Sequence, residues 1–257
     1  MKIYIMVDME GISGICEETQ VKSGSWLYDS SRKYLTADVN ACIAGCIEGG
    51  ARHIRVRFAH GDSQQFVWEQ LDPRAEYING GTHERMPDIA RYDALMLVGY
   101  HAMAGTRRAV LDHTMSPRGW QNCWINGVLS GEIAIDAGIA GDHGVPTIFV
   151  SGDDKTCAEA RRFLPGVVTA EVKKGLNREA AVLLPQPEAH KRIRVAALRA
   201  VQGFQKIRPY RVRRPVKMRL ELCNAKALPE HRADVRIIDG HTFEVTAKSV
   251  EAALNRL

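Results

Sequence analysis

The chain has 257 residues, 45% hydrophobic and 25% charged, with a formal net charge of +5. Those proportions exclude a disordered, collagen-like or simple coiled-coil protein, and no apolar run approaches the roughly 18 residues that span a bilayer. At about 150 residues per domain, the length allows one large domain or two small ones.

Lys2–Val7 is an apolar run rich in β-formers that ends at Asp8-Met9-Glu10-Gly11, the pattern of a buried strand followed by a loop. Residues 31–48 place Leu35, Val39, Cys42, Ile43 and Cys46 at helical spacing, and Gly49-Gly50 ends the helix. Ile54–Phe58 reads as a second strand, ending at His60-Gly61-Asp62. Strand, helix and strand in succession form a βαβ unit, so these strands are expected to be parallel. Ala94–Tyr100 is a third strand, ending at His101. Asn126-Gly127 is a type I′ hairpin signal. Residues 130–141 suit a short helix with Glu132 in its first turn. Pro146–Val150 is a fourth strand, followed by Gly152-Asp153-Asp154 and a helix to about Leu164. Residues 177–184 and 187–202 predict helices. The pattern then turns to strands at 213–223, 233–238 and 242–247, with a last helix at 248–256. The fold expected is α/β: a mostly parallel sheet with flanking helices over residues 1–175, plus a smaller α+β part over 176–257 that serves assembly.

The positive charge is local. Residues 191–219 hold eleven Lys and Arg and no Asp or Glu. No nucleic-acid motif accompanies them, and basic and apolar residues alternate over 208–223. That suits a half-buried strand, although no covering helix is evident. A nucleic-acid partner is therefore not expected. The six cysteines show no CxxC spacing, which suits a reduced protein without a disulfide framework. Asp8 interrupts the first apolar run too early for a signal-peptide core. The expectation is a cytoplasmic protein with no membrane partner.

The sequence has no GxGxxG, GxxxxGK[ST], HExxH or GxSxG, which argues against dinucleotide, P-loop, zincin and α/β-hydrolase chemistry. It does have metal-competent groups at three strand ends: Asp8 and Glu10, His60, and His101. Sites in open α/β sheets form beyond the carboxyl ends of strands. Two carboxylates at one buried strand end repel each other unless a proton or cation lies between them. With Glu132 the set has five N and O donors, too many for one structural zinc. It suits two divalent ions sharing a carboxylate, with positions left for water. Taken singly, each residue has a plainer reading: turn or cap for the aspartate, satisfied histidine, first-turn helix carboxylate. The coincidence across strand ends carries the metal reading.

Asp153 suits a helix N-cap, and Asp62 either a partner for His60 or a turn. Asp136 is expected to be solvated or a polar residue of the helix, and His143 a turn residue. His53, His83, His190, His231 and His241 are expected to be structural or exposed. His113, in Leu111-Asp112-His113-Thr114-Met115, is open between ligand, general base and surface histidine.

Several strings together resemble the DppA-type D-aminopeptidases, the M55 metallopeptidase family. They are Val7-Asp8-Met9-Glu10-Gly11-Ile12-Ser13-Gly14, Gly99-Tyr100-His101-Ala102, His113-Thr114-Met115, Asn126-Gly127 with Gly131-Glu132, and Gly152-Asp153-Asp154. Order and spacing agree along most of residues 1–175. The resemblance implies a dinuclear zinc peptidase that removes N-terminal D-amino acids from short peptides, assembled as a decameric ring with its sites inside. It implies two Zn²⁺ per subunit on Asp8, Glu10, His60, His101 and Glu132, with Asp8 as the bridge. It places the family's catalytic histidine, proposed there as nucleophile, at His113. The family often has Asn-Asp before the second-strand histidine; here Arg57 and Phe58 stand there, so a carboxylate is missing or replaced by Asp62. D-selectivity rests on the resemblance alone. The competing readings are another dinuclear amidase or phosphoesterase, and a binding module using residues 191–219.

Overall fold

The computed structural model describes residues 1–61 and 65–257. In chain order the strands are β1 (Lys2–Val7), β2 (His53–Phe58), β3 (Glu76–Ile78), β4 (Ala94–Val98), β5 (Trp120–Ile125), β6 (Val128–Leu129), β7 (Thr147–Asp153), β8 (Val168–Asn177), β9 (Ala180–Leu183), β10 (Val216–Leu222), β11 (Val235–Ile237) and β12 (Thr242–Ala247). The helices are α1 (Glu18–Val21), α2 (Tyr28–Glu48), α3 (Glu132–Asp142), α4 (Asp154–Phe163), α5 (Gln186–Gly203) and α6 (Val250–Leu254).

One sheet has seven strands in the order β3-β2-β1-β4-β7-β8-β9, parallel except for the β8–β9 pair. The other has five, β11-β12-β10-β5-β6, antiparallel throughout. The expected α/β class with a mostly parallel sheet holds. The order of the first sheet reverses direction between β1 and β4, a topological switch point, and ligands in such sheets bind beyond the strand ends at that place.

β1 is continuously apolar because both its faces are covered. Ile3, Ile5 and Val7 join a core with Leu35, Val39 and Ile43 of α2 and Ile193 and Ala197 of α5. Tyr4 and Met6 join a second core with Ile133 of α3 and with Met218, Leu220 and Phe243 of the antiparallel sheet. Small residues let α2 and α5 approach closely: a Cβ on Gly45 would sit 2.2 Å from the Arg194 carbonyl oxygen.

Two expectations need correction. Residues 177–184 are not helical. Asn177 closes β8 and Ala180–Leu183 form β9, paired antiparallel, so pairing overrides the helix propensity of Ala and Leu. The segment 208–223 does not lack cover: its strand, β10, is an inner strand between β12 and β5, and α6 packs against it. The division at residue 175 falls inside β8, and the second sheet takes β5 and β6 from one side of it and β10–β12 from the other. Among the described residues, no helix is long and apolar enough to cross a membrane, and the six cysteines are free.

Candidate metal centre

The switch point brings two loops into contact. Asp8 N–H donates to the Val98 carbonyl at 2.9 Å and Gly11 N–H to the Gly99 carbonyl at 2.8 Å. A Cβ on Gly11 would lie 1.8 Å from the Tyr100 carbonyl oxygen, so only glycine fits there. Gly99 has φ +72 and would press a Cβ to 2.4 Å from the Asp8 carbonyl oxygen. The glycines after Glu10 and before Tyr100 are thus what lets the two strand ends merge. Ser13 anchors the same loop to α2, donating from N and Oγ to Asp38 at 2.8 and 2.6 Å.

Asp8, Glu10 and His60 each place a ligand atom within 4.8 Å of the others, and His101, His113 and Glu132 do the same. Asp8 joins the groups, its Oδ2 3.2 Å from His101 Nε2. His60 Nε2 lies 3.1 Å from Glu10 Oε1, and His101 Nε2 3.3 Å from Glu132 Oε1. His113 Nε2 is 3.8 Å from that Glu132 oxygen. His101 Nδ1 donates to the Ala102 carbonyl at 3.0 Å and His113 Nδ1 to the Leu111 carbonyl at 2.9 Å. A carbonyl can only accept, so each ring carries its proton on Nδ1 in the neutral form, and its Nε2 lone pair, facing the carboxylates, is left for a cation.

Asp8 Oδ2, Glu10 Oε2 and His101 Nε2 are buried without a hydrogen-bond partner. Asp8 and His101 are close, but their atoms are not aligned as donor and acceptor. Buried polar atoms that face a shared space are what a cation satisfies. Three carboxylates and three imidazoles form a mixed N/O donor set that fits zinc.

The titration behaviour agrees. Burial, then the charge of Glu10, pushes Asp8 up to about 7. Burial works against ionisation of Glu10 as well, but the charge and hydrogen bond of His60 outweigh it and hold Glu10 well below the carboxylate range. Burial also opposes Glu132, which His101 draws down to about 2. His60 rises to about 9 against burial because Glu10 faces it. Burial likewise disfavours the charged form of His101, yet Glu132 and Asp8 raise it well above the usual range. Without cations, protons on the histidines balance the carboxylates. Divalent ions must displace those protons, so affinity rises with pH.

The five expected ligands and His113 therefore converge. Asp62 lies outside the described residues. Asp153 caps α4, accepting from Thr156 N at 2.7 Å, and its other oxygen accepts from Val110 N at 2.8 Å, which holds the chain leading to His113. Asp136 is not solvated: it is fully buried, pairs with Arg85 through both oxygens, and accepts from Tyr100 Oη at 2.5 Å. His190 Nε2 lies 3.2 Å from Asp38 Oδ1 and His53 Nε2 3.1 Å from Tyr92 Oη, both structural settings.

Two supporting residues had no signal in the sequence. Lys173, fully buried on β8, donates from Nζ to the carbonyls of Glu10, Ile12 and Ile15 at 2.5, 2.9 and 2.5 Å. One ammonium thus ties together the loop that carries Glu10. Glu159 of α4 accepts from Met103 N at 2.7 Å and so holds the chain after His101. Nothing in a local pattern marks a lysine or glutamate for an interior loop clamp.

A cleft of about 710 Å³ opens onto the centre, with Glu10, His60 and His113 in its wall.

The sequence model of the M55 peptidases, described as D-aminopeptidase, matches residues 1–257. A D-aminopeptidase of Bacillus subtilis (strain 168) is 34% identical over 214 residues, covering 81% of this chain and 77% of the relative. The solved structure of the Zn-dependent D-aminopeptidase DppA from Bacillus subtilis, described as a self-compartmentalizing protease, superposes with a TM-score of 0.94 at 30% identity. That match covers 99% of this chain and 94% of the other.

Proposed function

We propose that this chain, which belongs to the M55 family of D-aminopeptidases, is a zinc-dependent aminopeptidase. It hydrolyses the N-terminal peptide bond of short peptides that begin with a D-residue. The observation that supports this most directly is the junction at Asp8, where two N/O clusters meet around buried, unpartnered ligand atoms. We assign Asp8, Glu10, His60, His101 and Glu132 as ligands of two zinc ions, with Asp8 between them. Zinc, when bound, supplies Lewis-acid polarisation of the scissile carbonyl and acidifies a water.

The chain's own residues do the rest. His113 faces the cleft with its Nδ1 proton held on the Leu111 carbonyl. Its Nε2 is free to accept a proton from the attacking water and return it to the leaving amine. Burial, reinforced by the charge of His101, lowers its pKa and keeps the ring neutral, as a base requires. Glu10 and Glu18 line the cleft and offer an anionic partner to the substrate's amino terminus.

The proposal includes assembly into a homo-oligomeric ring, a decamer, with the sites inside. The chain exposes Trp26 at 83% and Trp68 at 69%, more aromatic surface than solvent alone favours. Residues 176–257 contribute further exposed apolar side chains, among them Val182 and Ile237, and serve subunit contacts in this reading. Free thiols suit a cytoplasmic setting.

The test is zinc quantification alongside hydrolysis assays on D-alanyl and L-alanyl dipeptides. Two ions per subunit with cleavage of the D-peptides supports the reading. A metal-loaded protein that cleaves neither rejects it, and cleavage of a phosphoester instead supports the phosphoesterase alternative.

A further inference from the structure

A small cavity of about 170 Å³ lies beside the metal centre, between the end of β2 and residues 79–85. Arg57, Gln65, Asn79 and Arg85 are among its lining residues. Gly61 lines both this cavity and the cleft that contains His60 and His113. On its other side, Arg85 Nη2 lies 3.6 Å from Glu132 Oε2. The cavity therefore adjoins the metal centre through Gly61 and through Arg85.

Its two guanidiniums differ in how they are balanced. Arg85 is neutralised by Asp136, which takes its Nε and Nη2 and leaves Nη1 over. Arg57 is only 8% exposed. Its Nη1 reaches the Gly80 carbonyl at a long 3.5 Å, and its Nε is buried with no partner. Among the described residues no carboxylate forms an ion pair with it. Burial is the main influence on its pKa and pulls it down; repulsion from Arg85 acts in the same sense, opposed by Tyr4 and Asp136. A buried guanidinium that makes no direct ion pair with a described carboxylate has donors to spare, and an arginine so placed is matched best by a carboxylate, whose two oxygens meet the planar N–H fork.

We infer that Arg57 and Arg85 form a carboxylate pocket that receives the C-terminal carboxylate of a short peptide whose N-terminal bond lies at the metal centre. The inference rests on the aminopeptidase reading above. It gives that reading a length rule. An extended residue spans about 3.5 Å, so a carboxylate pocket that adjoins the centre favours short peptides over long ones. A cavity of about 170 Å³ has room for a small terminal residue.

The experiment compares kcat/KM of the zinc-loaded full chain for D-alanyl-D-alanine and for its C-terminal amide. The acid should be favoured by at least about 10-fold, the worth of a hydrogen bond to a charged group. Arg57→Gln should reduce that preference to below about 3-fold, and Arg57→Lys, which keeps a cation but loses the fork, should give an intermediate value. Zinc content is measured on each protein. Should Arg57→Gln fail to fold, Arg57→Lys decides: an unchanged preference overturns the pocket. Arg118→Gln tests the exposed arginine of the cleft, and a loss of preference there instead of at Arg57 also overturns it. Equal rates on acid and amide in the wild type overturn the pocket and leave the aminopeptidase reading standing. Hydrolysis of neither overturns both.

Discussion

His101 and His113 stack their rings with centroids 4.0 Å apart and planes inclined by 14°, yet they meet the solvent differently. The side chain of His101 is 1% exposed and that of His113 12%. Both rings are oriented in the same way, Nδ1 to a carbonyl and Nε2 toward Glu132. Only His113 also lines the cleft. A ring sealed among carboxylates suits a ligand, and a ring at the cleft wall suits a group that gains and loses a proton.

His101→Ala is accordingly expected to lose both metal and activity. His113→Ala should keep metal near the wild-type level and lose turnover by at least about 10²-fold. Elemental analysis paired with a peptide-hydrolysis assay reads both. A metal-free His113→Ala protein would make His113 a ligand, a role within reach because it shares a cluster with His101 and Glu132.

Asp8 sits where the two clusters join, 3.2 Å from His101 and in ligand range of Glu10 and His60. Removing a shared carboxylate takes charge and a donor from both positions at once. Asp8→Ala should therefore bind neither ion at zinc concentrations that load the wild type. Glu10→Ala should affect one position more than the other. Retention of two zinc ions by Asp8→Ala would show that Asp8 does not bridge.

The pH profile should follow His113. Burial, then repulsion from His101, lowers its pKa below the ordinary 6.5, and bound dications act in the same direction. The neutral ring is the base, so activity is lost as pH falls through the lowered pKa and is retained above it. The acid limb of kcat/KM should thus lie below about pH 6.5. An acid limb centred clearly above that value would remove His113 as the base.

Much of the candidate site is legible in the sequence because metal-competent groups at strand ends leave local marks. Asp8, Glu10, His60 and His101 each follow an apolar run, and Glu132 opens a helix. The glycines beside them mark where backbones touch, as at Gly11 and Gly99. What escaped notice depends on long-range packing. Lys173 lies on a strand whose polar and apolar residues mix too evenly to announce it. Asp136, a carboxylate one helical turn past Glu132, reads as solvated or as a polar helix residue, and nothing local hints that Arg85 and Tyr100 enclose it. The hairpin of β8 and β9 failed for the same reason: Ala180–Leu183 is locally a fair helix, and only its partner makes it a strand.

Glu159 supplies a test of that interior packing. Its Oε2 accepts from Met103 N at 2.7 Å, while its Oε1 is buried with no partner. The space is tight, since a Cβ on Gly131 would lie 2.7 Å from that Oε1. Burial pushes the carboxyl up to about 7. The unfolded chain releases the same proton near pH 4.3, so between about 4.3 and 7 the folded state holds a proton that the unfolded state has lost. Stability falls as pH rises through that window, and the cost is complete above it. Gln can still accept from Met103 N–H and never ionises. Glu159→Gln should therefore be more stable than the wild type by roughly 3 kcal/mol at pH 8 and by only about 1 kcal/mol at pH 5. The comparison uses urea unfolding of chelator-stripped protein, because zinc near His101 would favour the Glu159 anion and mask the effect. A difference that does not change between the two pH values would mean that Glu159 ionises normally in the fold, and that its unpartnered oxygen is better solvated than its burial implies.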